Sequence, residues 1–167
     1  MQRLLLYILF TSGIAVAQQS HRADSSLFDF WVGEWDVSWT DPDGSTAFGT
    51  NIVTKILDGK VIHENFTGLT GQNKGYKGTS ISVLESRTGK WRQSWADNQN
   101  GYFAFTGGAD GENRYFEHEF MKDGALHKGK MIFRNITRNA LVWDWMKSVD
   151  GGTTWTVLWT IHYRRKQ

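Results

Sequence analysis

Three polar residues sit where strand alternation turns them toward apolar company, and each could do chemistry there: Glu64, Gln93 and His118. Glu64 shares its parity with Ile62 and Phe66, whereas His63, Asn65 and Thr67 take the other face. Gln93 falls between Trp91 and Trp95, and His118 between Phe116 and Phe120. A carboxyl on an apolar face has its pKa raised and can serve as acid or base, with His118 as partner. That pair would suit an isomerase, lyase or hydrolase. A buried Glu–His or Glu–Gln pair that merely satisfies itself is the more ordinary arrangement. Gln93 offers donor and acceptor within an apolar slot, which is how a mostly apolar pocket orients a ligand. It could equally satisfy a bulged backbone or pair with Glu64.

Other chemistries find little footing. His63-Glu64 and Glu117-His118-Glu119 place adjacent residues on opposite strand faces, so neither converges on an ion, and no metal site is expected. The chain has no cysteine, which excludes thiol catalysis, cysteine metal sites and disulfides. There is no P-loop, no G-x-G-x-x-G opening a helix, no G-x-S-x-G and no H-E-x-x-H. A net charge of +2 with scattered basic residues argues against a nucleic-acid partner. Lys90-Trp91-Arg92 interleaves basic and aromatic side chains, but alternation separates them onto two faces.

The elements that position these residues are strands. Period-2 alternation recurs after Ser26, interrupted by turn signals such as Asp41-Pro42-Asp43-Gly44, Asp58-Gly59, Thr88-Gly89, Asn100-Gly101, Asp110-Gly111, Asp123-Gly124 and Asp150-Gly151-Gly152. Cutting there predicts about ten strands, at 34–40, 46–57, 60–69, 78–86, 90–97, 101–108, 113–122, 125–136, 139–149 and 153–165. Leu27 to Val32 reads as a short helical plug ahead of them. Short connections make sequence neighbours spatial neighbours, and a long meander hides its edges by closing. The expectation is an all-β, antiparallel up-and-down barrel. Its interior set would include Trp91, Gln93, Trp95, Phe116, His118, Phe120, Leu141, Trp143, Trp145, Trp155, Val157, Trp159 and Tyr163. Nine tryptophans, ten phenylalanines and five tyrosines supply the apolar area that a core without disulfides needs.

Four segments, Phe28 to Trp35, Gly78 to Ser80 with Gly89 to Asp97, Ser148 to Trp155 and Tyr163 to Lys166, together resemble a bacterial lipocalin-like family of unknown function within the calycin superfamily, related to nitrobindin. Phe28-Asp29-Phe30-Trp31-Val32-Gly33-Glu34-Trp35 contains the Gly-x-Trp with which calycin barrels open their first strand. Gly78-Thr79-Ser80 with Gly89-Lys90-Trp91-Arg92-Gln93-Ser94-Trp95-Ala96-Asp97 is similar to that family's G-x-S … G-K-W-x-Q-x-W-x-D stretch. Ser148-Val149-Asp150-Gly151-Gly152-Thr153-Thr154-Trp155 matches its S-x-D-G-G-x-T-W turn, and Tyr163-Arg164-Arg165-Lys166 its end. The resemblance implies a calycin fold and no particular reaction. It makes Gly33, Trp35, Arg164, Ser148, Asp150, Gly152 and Trp155 structural signatures. Trp35 would seal one end, with Arg164 or Arg165 stacked over its indole. Ser148 to Trp155 also fits the Asp-box of sialidases, but one copy in a short chain makes a turn rather than an active site. Nitrobindin-like barrels carry a proximal histidine near the C-terminus. Here His162 shares its parity with Thr154, Thr156 and Thr160 and is expected on the outer face, so haem is not expected, nor any other cofactor.

The 167 residues suggest a single domain over 27–167, preceded by a signal peptide over 1–17 and a flexible lead-in over 18–26. Arg3, the apolar run Leu4 to Phe10 and Ala15-Val16-Ala17 form the export signal, with cleavage near Ala17 and a periplasmic or extracellular destination. That run is too short to span a bilayer, so no membrane insertion is expected. The leading functional expectation is a binder of a small apolar or aromatic molecule, held by Glu64, Trp91, Gln93, Trp95, His118, Trp143, Trp145 and Trp159. The acid–base enzyme using Glu64 and His118 is the alternative. A haem protein and a surface-interaction protein stand behind both.

Overall fold

The turns predicted from Asx-Gly pairs are where the chain reverses. Asp123 and Gly124 both have positive φ, 51° and 77°, the tight-hairpin geometry that glycine and aspartate tolerate. A computed structural model describes residues 24–167; the signal peptide expected over 1–17 lies outside the described residues, as does most of the lead-in. The ten strands are β1 (Gly33–Thr40), β2 (Thr46–Ile56), β3 (Val61–Gly68), β4 (Lys77–Glu85) and β5 (Lys90–Asp97). They continue as β6 (Tyr102–Asp110), β7 (Asn113–Lys122), β8 (Ala125–Arg134), β9 (Ala140–Ser148) and β10 (Thr156–Arg165). Each pairs antiparallel with its chain neighbours, and β1 pairs with β10 to close the barrel. The all-β up-and-down barrel is therefore the fold. Ten strands enclose a wider lumen than eight, whose interior side chains just fill.

One end is stoppered. Before β1, Asp29–Trp31 forms a single 3-10 turn, shorter than the plug expected over 27–32. Phe28 enters the barrel and stacks on Phe116 at 4.4 Å between ring centroids, edge-on to Trp91 at 5.1 Å. Trp31 lies edge-on to Phe133. Trp91 Nε1 donates to the Asp24 carbonyl, tying down the described part of the lead-in.

A plug leaves carbonyls that need donors. Trp35 Nε1 serves Trp31 O at 2.8 Å. Arg165 serves Val32 O, Phe30 O and Arg138 O at 2.8, 3.0 and 2.7 Å. Its guanidinium lies 4.1 Å from the Trp35 ring. Gly33 leaves room for it, because a Cβ there would strike Arg165 Nη1. The residue over Trp35 is thus Arg165, not Arg164. Trp35 and Arg165 are register partners on one face, while Arg164 pairs with Asp36 and is exposed.

At the opposite end, Ser148 to Trp155 forms the β9–β10 hairpin. Ser148 Oγ donates to Asp150 Oδ1 and accepts from Gly152 N. The Thr154 N–H and hydroxyl, the Ser148 hydroxyl and the Thr153 N–H all donate to the Asp150 carboxylate, holding its pKa far below the usual range. Trp155 was expected inside and lies outside, with Lys130 Nζ 4.6 Å from its ring. A bulge between Val157 and Trp159 explains this. The extra residue, Leu158, flips the parity of everything before it, so Val157 also faces out while Trp159, Ile161 and Tyr163 face in.

Candidate functional site

Above the plug the lumen is crossed by a polar belt. Glu64 on β3, 6% exposed, accepts from Asn51 Nδ2 on β2 at 2.8 Å and from Ser80 Oγ on β4 at 2.6 Å. Asn51 also donates to the Tyr163 hydroxyl on β10 at 3.0 Å. Gln93 Nε2 on β5 donates to Ser82 at 3.0 Å and to Ser80 at 3.3 Å. The dipoles therefore run from Gln93 through Ser80, and from Asn51, toward one carboxyl. Register dictates the meeting: Glu64 lies opposite Val53 and Ser80, and Ser80 opposite Trp95. Burial pushes the Glu64 pKa up to about 7 against the pull of the Ser80 and Asn51 bonds. Burial and the nearby Glu64 charge also raise the Tyr163 pKa, keeping that phenol neutral.

Beyond the belt the barrel is hollow. A cavity of about 390 Å³ reaches from Glu64 and Tyr163 to the end away from the plug. Phe66, Trp95, Phe105, Trp143, Trp145 and Trp159 form its walls, with Met131 and Ile161 between them. Tyr76, Asp97, Gln99, Gly101 and Phe103 surround its mouth. Its volume falls within the range of small-molecule sites. Trp159 stands edge-on to Trp39, Phe66 and Trp143, and its buried Nε1 has no partner among the described residues. Gly78 lets the Trp95 indole lie against β4, because a Cβ there would fall onto the ring. At the mouth Asp97 accepts from Tyr76 Oη, Trp95 Nε1, Gln99 N and Gly101 N, at 3.0, 3.1, 2.9 and 2.8 Å. Desolvation pushes its pKa up, but these donors outweigh it and keep the carboxylate ionised.

Of the eight binding residues expected, Glu64, Trp95, Trp143, Trp145 and Trp159 line the cavity. Trp91, Gln93 and His118 do not. Trp91 is taken up by Phe28 and the Asp24 carbonyl. Gln93 stands behind Ser80 as a prop, and pairs with the serines rather than with Glu64. His118 fills the place where β6 and β7 part: their pairing ends at Thr106 and Glu117, although both strands run on. There it stacks on Trp145 and Phe120 and meets Phe103 and Phe105 edge-on, opposite Gly129, where a Cβ would strike its ring. Burial lowers its pKa. No hydrogen bond joins it to Glu64, so the acid–base pair is not assembled. Phe120, expected inside, is also exposed, at the open end of this seam.

Among the described residues no three His, Asp or Glu side chains gather to hold a metal, and His162 lies exposed on the outer face. Sequence reasoning did not single out Asn51, Ser80, Tyr76 or Asp97. Asn51 shares parity with the buried Ala47 and Val53, Ser80 sits in the G-x-S segment, and Asp97 ends the G-K-W-x-Q-x-W-x-D stretch. Those were the available signals.

No family model and no curated protein matches the chain. Solved structures similar in fold include the following two. One is a redesigned β-barrel, 14% identical, covering 87% of this chain and 96% of that one, with a TM-score of 0.42. The other is an S-type phycobiliprotein lyase from Guillardia theta, 12% identical, covering 85% of this chain and 92% of that one, with a TM-score of 0.47.

Proposed function

We propose that this is an exported barrel that holds one small apolar or aromatic molecule, and that its motifs place it with the lipocalin-like family they resemble. The observation that carries the binding reading is the end-open cavity of about 390 Å³, walled by four indoles and floored by one carboxyl. Stability alone gives no reason for such a lumen, because unfilled apolar volume in a core destabilises. An aromatic ligand would restore those contacts by lying among the edge-on rings. The export reading rests on Arg3, the run Leu4 to Phe10 and Ala15-Val16-Ala17.

Titrating the mature chain with a library of lipids and aromatic metabolites, and following tryptophan emission, tests the binding reading. One or more compounds should give a saturable 1:1 change, since Trp95, Trp143, Trp145 and Trp159 all border the cavity. Finding no saturable change across the library would refute it.

A further inference from the structure

The electrostatics of the cavity go further than its shape. Two carboxyl groups border it, Glu64 at the floor and Asp97 at the mouth, and among the described residues no Lys, Arg or His does. Asp97 is satisfied by four donors, whereas Glu64 is served only by the neutral Asn51 and Ser80. Among the described residues Glu64 makes no ion pair. A carboxylate taken out of water without a counter-charge is costly, and proteins ordinarily pair it. Yet the amide and hydroxyl dipoles of Asn51, Ser80 and Gln93 are aligned to serve an anion there. Around the remaining space stand four indoles, the best of the aromatic side chains at holding a cation.

Resting on the binding reading above, we propose that the cavity selects a small organic cation: an amine or quaternary ammonium on an apolar or aromatic body. Glu64 is its counter-ion, and the indoles of Trp95, Trp143, Trp145 and Trp159 are its cage. An anionic ligand would meet two carboxyl groups and, among the described residues, no basic side chain. A neutral ligand would leave Glu64 without a partner charge. The titratable neighbours facing Glu64 are the phenols of Tyr163 and Tyr76, both with pKa values raised by burial, so Glu64 is the group whose charge changes within the cavity near neutrality.

Two matched probe sets test this on the mature chain by calorimetry at pH 8. The first is tryptamine, 3-propylindole and indole-3-propionate: cation, neutral and anion on one ring. The second is benzyltrimethylammonium against neopentylbenzene. In at least one set the cation should bind roughly tenfold more tightly than its neutral mate. That preference should vanish in Glu64→Gln, and it should shrink in the parent as pH falls from 8 to 5 and Glu64 takes up its proton. Neutral or anionic members binding as well as the cation would overturn the charge selection while leaving a binding barrel. Cation preference surviving Glu64→Gln would remove Glu64 as counter-ion. Binding by none of the five probes would also overturn the proposal, and the broader reading would then rest on the library titration alone.

Discussion

Replacing Glu64 by Gln should stabilise this protein, and by an amount that depends on pH. The side chain keeps its shape, Asn51 can still donate to its carbonyl oxygen, and Ser80 can turn to accept from its amide. What disappears is the cost of ionising a buried acid. The Glu64 pKa stands at about 7 in the folded chain, against an ordinary 4.5. A folded-state pKa above the unfolded one means that the native chain binds this proton more tightly. The contribution to stability is therefore complete below pH 4.5, falls as pH rises between 4.5 and 7, and is absent above. At roughly 1.4 kcal/mol per tenfold in proton affinity, the loss is about 3 kcal/mol. Urea unfolding followed by tryptophan emission, at intervals from pH 4 to 8, measures it. Parent and variant should nearly coincide at pH 4, and at pH 8 the variant should be the more stable by about 3 kcal/mol. His118, whose pKa is lowered, costs stability as pH falls below 6.5, but it does so in both proteins and cancels in the difference. A difference independent of pH, or one favouring the parent at pH 8, would show that ionising Glu64 carries no such cost.

Other substitutions probe the frame around the cavity. Arg165→Ala should cost about 2–4 kcal/mol in urea unfolding, through its three carbonyl bonds and the Trp35 contact, whereas Arg164→Ala should stay within about 0.5 kcal/mol. Equal effects would contradict the register of β1 with β10. Gly78→Ala should cost about 1–3 kcal/mol and change the near-ultraviolet dichroism of the indoles, because the added methyl displaces Trp95; an unchanged spectrum would contradict that packing. Ser148→Ala should cost about 1–2 kcal/mol by unlacing the buried hydroxyl that joins Asp150 to Gly152. Protease cleavage should then concentrate between β9 and β10, and an undisturbed hairpin would count against the assignment.

The barrel was legible because its signals are local. Asx-Gly turns and alternation marked ten strands, and most bounds fall within about two residues of those found. Alternation also turned Ile62, Glu64 and Phe66 inward correctly, since β3 pairs without interruption with β2 and β4. It failed where register slips or pairing stops. The bulge at Leu158 put Trp155 and Val157 outside, and the parting of β6 from β7 left Phe120 exposed. The candidate site was half legible for a different reason. Tryptophans announce a lumen, but the groups that receive Glu64 are an asparagine and a serine among small residues, which carry no apolar signal. The choice between Arg164 and Arg165 needed only parity with Tyr163, a buried residue already expected inside. Whether Trp91 faced a cavity or the plug depended on where Phe28 would dock, and no local pattern encodes that.

The claim that the lumen is a ligand site can be tested by filling it. Met131 lines the cavity on β8, and Met131→Trp would place an indole in the space a ligand needs. The measurement is uptake of prodan, a neutral fluorophore, followed by energy transfer from tryptophan, in the parent and in the filled variant, each first confirmed to be folded by its unfolding transition. The parent should take up prodan saturably at 1:1, and Met131→Trp should lose that uptake. No uptake by the parent, or equal uptake by a folded variant, would contradict it.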